Sequence, residues 1–124
     1  LESILFWAEI EEIGDSAFKD CTALVEISVP FETTDIGDHA FEGCTELSSL
    51  VMWDDPDIGE YTFAGCTSLK EVNIGYDTKN VDAHAFDGCT SLATATIWND
   101  NTVIGKDAFT NCPNLEGRPI QEQD

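Results

Sequence analysis

Positive charge is what this chain has least of. Its 124 residues include 5 Lys or Arg against 25 Asp or Glu, a formal net charge of −20. Binding a nucleic-acid backbone needs Lys and Arg to replace condensed counterions, so that class of function is excluded. The same deficit argues against docking on an anionic membrane surface. Long hydrophobic runs are missing as well. No stretch reaches about 18 apolar residues, so no bilayer-spanning helix and no membrane insertion are expected. No secretory leader is legible, and the first residue is Leu1, on a core position of the pattern described next. A mature fragment, or a piece of a longer protein, is the expectation. No glycine-rich phosphate loop leads into a helix-length pattern, Ser-His-Asp chemistry has no pocket in which to assemble, and no cofactor is expected.

What is present is a period. Ile36-Gly37-Asp38-His39-Ala40-Phe41-Glu42-Gly43-Cys44-Thr45-Glu46-Leu47 returns around Phe18 and Cys21, Phe63 and Cys66, Phe86 and Cys89, and Phe109 and Cys112. The Cys-to-Cys steps are 23, 22, 23 and 23 residues. A period this regular signals a solenoid, in which each coil buries its apolar face only against its neighbours. The expected organisation is one solenoid over residues 1–124, with about five repeats of 22–23 residues. In the last copy Arg118 stands where a hydrophobe belongs, and Pro113 and Pro119 intrude. Residues 113–124 therefore read as a degenerate C-terminal cap and tail.

Within each copy an inward register repeats: Leu24, Ile27, Val29; Leu47, Leu50, Met52; Leu69, Val72, Ile74; Leu92, Ala95, Ile97; and, at the start, Leu1, Ile4, Phe6. Alternation and β-branched bias mark the second half of each set as a strand. One strand per coil, always run in the same direction, predicts a single parallel sheet along one side. A variable loop follows each strand and enters Ile-Gly, or Val81-Asp82 in the fourth copy. The glycine suggests a bend with positive φ, and Asp82 is a tolerated substitute there. The segment ending in Ala-Phe-x-x-Cys is too short for a stable helix, so one helical or 3₁₀ turn is expected. Asp15, Asp38 and Glu60 would sit at its N-terminus. The five Phe form a core ladder. The odd number of cysteines, one per coil with side chains pointing the same way, reads as buried free thiols packed as small hydrophobes.

The unit Ile-Gly-x-x-Ala-Phe-x-x-Cys-x-x-Leu-x-x-Ile-x-Ile resembles the BspA-type leucine-rich repeat over residues 1 to about 115. Departures are Thr62 for Ala and Val81-Asp82 for Ile-Gly. The resemblance implies an α/β-type leucine-rich repeat solenoid, with the sheet on one side and short turns and loops on the other. It implies a non-enzymatic module of a secreted or cell-surface protein, used in adhesion and protein binding. It supplies no catalytic residues and fixes no ligand.

Candidate contact residues come from what varies between copies. Outward positions of the strands form three rows across the coils. The first is Ser3, Glu26, Ser49, Glu71, Thr94; the second is Leu5, Ser28, Val51, Asn73, Thr96; the third is Trp7, Pro30, Trp53, Gly75, Trp98. All three tryptophans share one register, in alternate coils. They read either as shields of the sheet margin or as an aromatic strip for a protein or glycan ligand. The expected ligand-binding set is Trp7, Trp53, Trp98, Glu26, Ser49, Glu71, Asn73, Thr94 and Thr96. His39 and His84 share a repeat position with Tyr61 between them, about 10 Å apart by coil spacing and too far to share a metal. Acidic loops at Asp54-Asp55-Pro56-Asp57, Asp77 and Asn99-Asp100-Asn101 could associate weakly with Ca²⁺, without any recognised calcium-loop spacing. The alternatives to a binding module are a structural spacer or coat repeat and a calcium-dependent matrix protein.

Overall fold

The computed structural model describes residues 3–5, 10–30, 32–52 and 55–116. Every coil contributes a longer and a shorter strand, joined by turns. The strands are β1 Ser3–Leu5, β2 Glu12–Ile13, β3 Glu26–Val29, β4 Asp35–Ile36, β5 Ser49–Met52, β6 Asp57–Ile58, β7 Glu71–Ile74, β8 Asn80–Val81, β9 Thr94–Ile97 and β10 Val103–Ile104. All pairings are parallel, and each joins equivalent residues of successive coils, as in Ser3↔Glu26↔Ser49 and Glu71↔Thr94. The chain is a parallel solenoid, as its period demands.

The expected single sheet is corrected in two ways. The short strands, expected as the ends of loops, build a sheet of their own in the order β10-β8-β6-β4-β2. The long strands split into β1-β3-β5 and β7-β9, with no ladder joining β5 to β7. The split falls beside the coil with the one-residue-shorter loop between β5 and β6.

The Ala-Phe-x-x-Cys segments form chains of β-turns, and no helix occurs among the described residues. In the first coil Ala17, Lys19 and Cys21 donate their N–H groups back to the carbonyls of Gly14, Ser16 and Phe18. The alternate N–H groups, from Ser16, Phe18 and Asp20, instead reach Asp38, Ala40 and Glu42 of the next coil. These are the ring closures of a 3₁₀ helix, but left-handed residues interrupt them. Ser16, His39, Tyr61, His84 and Asp107 have φ between 57° and 61°, and Asp20, Gly43, Gly65, Gly88 and Asn111 between 57° and 78°. The alternation sends every second amide to the neighbouring coil, so the backbone is satisfied without a helix.

The glycines of Ile-Gly are therefore not the left-handed residues, and neither is Asp82. Gly37 is held by close approach. A Cβ there would meet Asp15 Oδ1 at 2.5 Å, Asp15 N at 2.7 Å and the carbonyl carbon of Gly14 at 2.8 Å. The carboxylate fills that space for a reason: Asp15 Oδ1 accepts from the Asp38 N–H, and Asp38 Oδ1 from the Glu60 N–H, both at 2.8 Å. With no helix to cap, these side chains act as staples between coils rather than as N-terminal charges.

The core is a ribbon. Phe41, Phe63 and Phe86 are fully buried, with Phe18 and Phe109 half-buried at the two ends. Their rings stack coil on coil at centroid distances of 5.3, 5.5, 5.3 and 5.1 Å. Beside them run the Ile and Leu rows. Leu50 and Met52 depart from the expected inward register by being only partly buried, next to the split. The loops carry a further buried row that the sequence reading missed. Thr33, Thr78 and Thr102 donate their hydroxyls to the carbonyls of Ile10, Pro56 and Thr78 in the preceding coils. A Thr in three of the five variable loops was the available signal.

Candidate functional site

The outward face of the long strands is positioned by the inward one. Once Ile27, Val29, Val72, Ile74, Ala95 and Ile97 are committed to the core, the residues between them must point out. The structure places Glu26, Ser49, Glu71, Asn73 and Thr94 there as exposed side chains, with Thr96 half-buried. Register brings Glu26 beside Ser49, Glu71 beside Thr94 and Asn73 beside Thr96. Ser49 and Glu71 are not brought together, because β5 and β7 are unpaired. Trp98 is 64% exposed, and its N–H donates to the carbonyl of Ile74 at 3.0 Å. Trp7 and Trp53 lie outside the described residues, so the three-membered aromatic strip stays an expectation at two of its positions.

One residue joins this margin without having been expected. Tyr76 is 65% exposed, and its carbonyl accepts from Asn99 Nδ2 at 2.8 Å, in the coil that carries Trp98. Two large aromatic side chains are thus presented by neighbouring coils where the face meets the loops. Tyr76 sits one position beyond the tryptophan register, so register alone does not mark it.

The turn side carries a second ladder. The rings of His39, Tyr61 and His84 stack in that order, at 5.1 and 4.7 Å and within 5° of parallel. Each imidazole Nδ1 is hydrogen-bonded to a carboxylate three residues on, Glu42 at 2.5 Å and Asp87 at 2.9 Å. Lys19 Nζ lies 3.7 Å from the same Glu42 oxygen. With Tyr61 between them, the two imidazoles cannot converge on one ion.

A trough of about 490 Å³ runs along the short-strand sheet and is lined by Glu12, Asp15, Asp35, Asp38, Asp57 and Asp82 around Gly14, Gly37 and Gly59. Desolvation, then the charges of Asp38, Glu60 and Asp57, push the Asp82 carboxyl above its ordinary value of 3.8. Among the described residues, no group of three or more His, Cys, Asp or Glu is arranged to hold a metal ion.

The cysteines form a structural ladder of free thiols. Cys44, Cys66, Cys89 and Cys112 donate to the carbonyls of Phe18, Phe41, Phe63 and Phe86 at 3.1–3.4 Å. Burial pushes Cys44 up to about 11 and Cys89 up to about 12 from the ordinary value of 9.0, and pushes Cys66 higher still. Thiols held this firmly protonated are poor nucleophiles.

Comparison with known proteins bears on the same geometry. A leucine-rich cell surface protein of Faecalibacterium prausnitzii has a TM-score of 0.84 and 29% identity over 92% of this chain and 30% of its own. A leucine-rich repeat protein of Bacteroides ovatus gives 0.68 and 26%, over 94% of this chain and 36% of its own. One from Eubacterium ventriosum gives 0.62 at 21% identity, over 92% and 37%, and shows likeness of fold alone. The chain therefore spans about a third of the length of these proteins. No curated protein matches it. The BspA type leucine-rich repeat region matches residues 1–116 in six copies. With that match running from the first strand to the last turn, the chain belongs to the BspA-type leucine-rich repeat family.

Proposed function

We propose that this chain is a non-enzymatic binding module of a cell-surface or secreted protein, and that it holds a protein or glycan ligand on the outward face of its long strands. The observation that carries this reading is the pair of exposed aromatics, Trp98 and Tyr76, beside the polar rows of Asn73, Thr94 and Thr96. Large amphipathic rings at the margin of a rigid polar surface are typical anchors of recognition. The strands fix this surface from behind through a close-packed core, which lowers the ordering cost of binding. The family's repeats commonly scaffold protein interactions, and the F. prausnitzii relative is named a cell surface protein. The high negative charge keeps the module soluble and selects against acidic partners.

The test is capture on immobilised chain from bacterial and host surface extracts, with a glycan panel in parallel. A ligand that binds saturably to the native chain and is lost with Trp98→Ala and Tyr76→Ala together supports the reading. Absence of any saturable ligand, or equal capture by the double variant, overturns it in favour of a spacer repeat.

A further inference from the structure

The sheet of long strands is interrupted between β5 and β7. Paired neighbours in a sheet lie about 4.8 Å apart. Here almost all Cα separations between β5 and β7 exceed 8 Å, whereas β3 and β5, and β7 and β9, are in close register. A single extra strand between two others sets them about 9.6 Å apart, twice the ordinary spacing. The opening is confined to this side of the coil. On the turn side that leads into the two strands, Phe41 donates to Thr62 and Gly43 to Ala64, each at 2.8 Å. On the loop side Asp55 and Asp57 accept from the Asp77 and Lys79 amides at 3.0 and 2.8 Å. The coils are pinned at both ends, and the gap is a bounded slot about 13 Å long for four-residue strands.

Its walls have a defined chemistry. Thr94 and Trp98 donate to Lys70 and Ile74, so outward residues turn their amides toward the preceding coil. In the same register Glu71 and Asn73 turn backbone groups toward β5, and Leu50 and Met52 turn theirs toward β7. Leu50 and Met52 are only partly buried, whereas their counterparts Val72 and Ile74 are fully buried. The slot thus presents backbone donors and acceptors along both walls and apolar side chains at its base. Glu71 stands exposed at its mouth, in a chain of net charge −20.

We propose that this slot receives an extended segment of another polypeptide, aliphatic at alternate positions and basic at the positions between. It would add the missing strand and complete the sheet, with aliphatic side chains over Leu50 and Met52 and basic ones outward near Glu71. The proposal rests on the protein-binding reading above and names the site and chemistry of one partner.

The experiment has two arms on the intact chain. In hydrogen exchange, the Leu50, Met52, Glu71 and Asn73 amides of the free protein exchange at least about tenfold faster than that of Thr96, which belongs to the β7-β9 ladder. Equal protection would mean a closed sheet and would overturn the proposal. In the second arm, the synthetic peptide Lys-Val-Lys-Ile-Lys-Val binds saturably and protects those amides. The same peptide N-methylated at alternate backbone nitrogens binds at least about tenfold more weakly, the loss of about one hydrogen bond. Asn73→Pro weakens binding similarly, and Glu42→Ala, on the turn side, leaves it unchanged. No binding by the unmethylated peptide, or indifference to methylation, overturns the slot. Loss with Trp98→Ala but not with Asn73→Pro moves the peptide to the outward face, which overturns the slot and keeps the protein-binding reading. Failure of that reading shows separately, as no captured ligand for the native chain.

Discussion

Replacing Phe63 by Ala tests the ribbon core where it is thickest. The ring is fully buried and lies between Phe41 at 5.5 Å and Phe86 at 5.3 Å, both nearly parallel to it. Truncating a buried Phe to Ala costs roughly 3–5 kcal/mol through lost transfer energy and the cavity left behind. Here the upper half of that range is expected. The site cannot collapse, because the adjoining coils are stapled by hydrogen bonds on either side, including Phe63 N–H to Ala85 and Cys89 Sγ–H to the Phe63 carbonyl. Single domains are stable by roughly 5–15 kcal/mol, so the loss is a large share of the whole. Phe109 is the internal control. It is half-buried in the terminal coil and stacks on Phe86 alone in this ladder, at 5.1 Å, so Phe109→Ala should cost about half as much. Urea titration followed by far-ultraviolet dichroism reads both changes. A cost below about 1 kcal/mol for Phe63→Ala, or a larger one for Phe109→Ala, would refute a core held by a continuous ring ladder.

Further outcomes follow from the same structure. Gly37→Ala should destabilise by roughly 1–3 kcal/mol through overpacking, whereas Gly14→Ala, with nothing within 4 Å of its added carbon, should change thermal stability little. Thiol-reagent labelling in the native state should modify Cys21 and Cys112 first and leave Cys66 and Cys89 until the chain unfolds. Because burial raises the folded-state values of Cys44 and Cys89, their contribution is full below 9.0 and is lost as pH rises through about 11 and about 12; the denaturation midpoint should fall over that alkaline window. Asp82→Asn should raise the melting temperature at neutral pH and low salt, since it removes a carboxylate disfavoured by burial and by Asp38, Glu60 and Asp57. The gain should shrink with added salt and on acidification through the raised value. Calcium chloride added at constant ionic strength should leave the melting temperature unchanged, because the described residues gather no group able to hold a metal ion.

Much of the architecture was legible because it repeats. Phe, Cys and Leu in register could only be core, and the parallel strand direction followed from one strand per coil. What the sequence hid was local. Gly37 looked like a φ-driven glycine, yet its need comes from an Asp15 oxygen of the previous coil, 22 residues earlier and invisible to any single-coil argument. The left-handed positions fell instead on Gly43, Gly65 and Gly88 and on the register of His39, Tyr61 and His84. The turns imitate 3₁₀ closure and so read as helical; only the alternation of amides between coils shows otherwise. On the candidate face, strand periodicity placed Glu26, Ser49, Glu71, Asn73 and Thr94 outward, but nothing in it foretold that the rows would break between Ser49 and Glu71. Neither did it single out Tyr76, whose exposure depends on how its loop leaves β7.

The measurement that bears most directly on where recognition resides is a binding titration of the captured ligand against two pairs of substitutions on opposite sides of the coil. Trp98→Ala with Thr96→Arg alters the outward face; Tyr61→Ala with Glu42→Ala alters the turn side, and both pairs are checked for an unchanged fold. The face pair should weaken binding at least about a hundredfold, roughly 2.7 kcal/mol and within the range of an aromatic hot spot, and the turn-side pair should leave affinity within about twofold. Loss of binding with the turn-side pair and its retention with the face pair would contradict the placement of the ligand on the long strands.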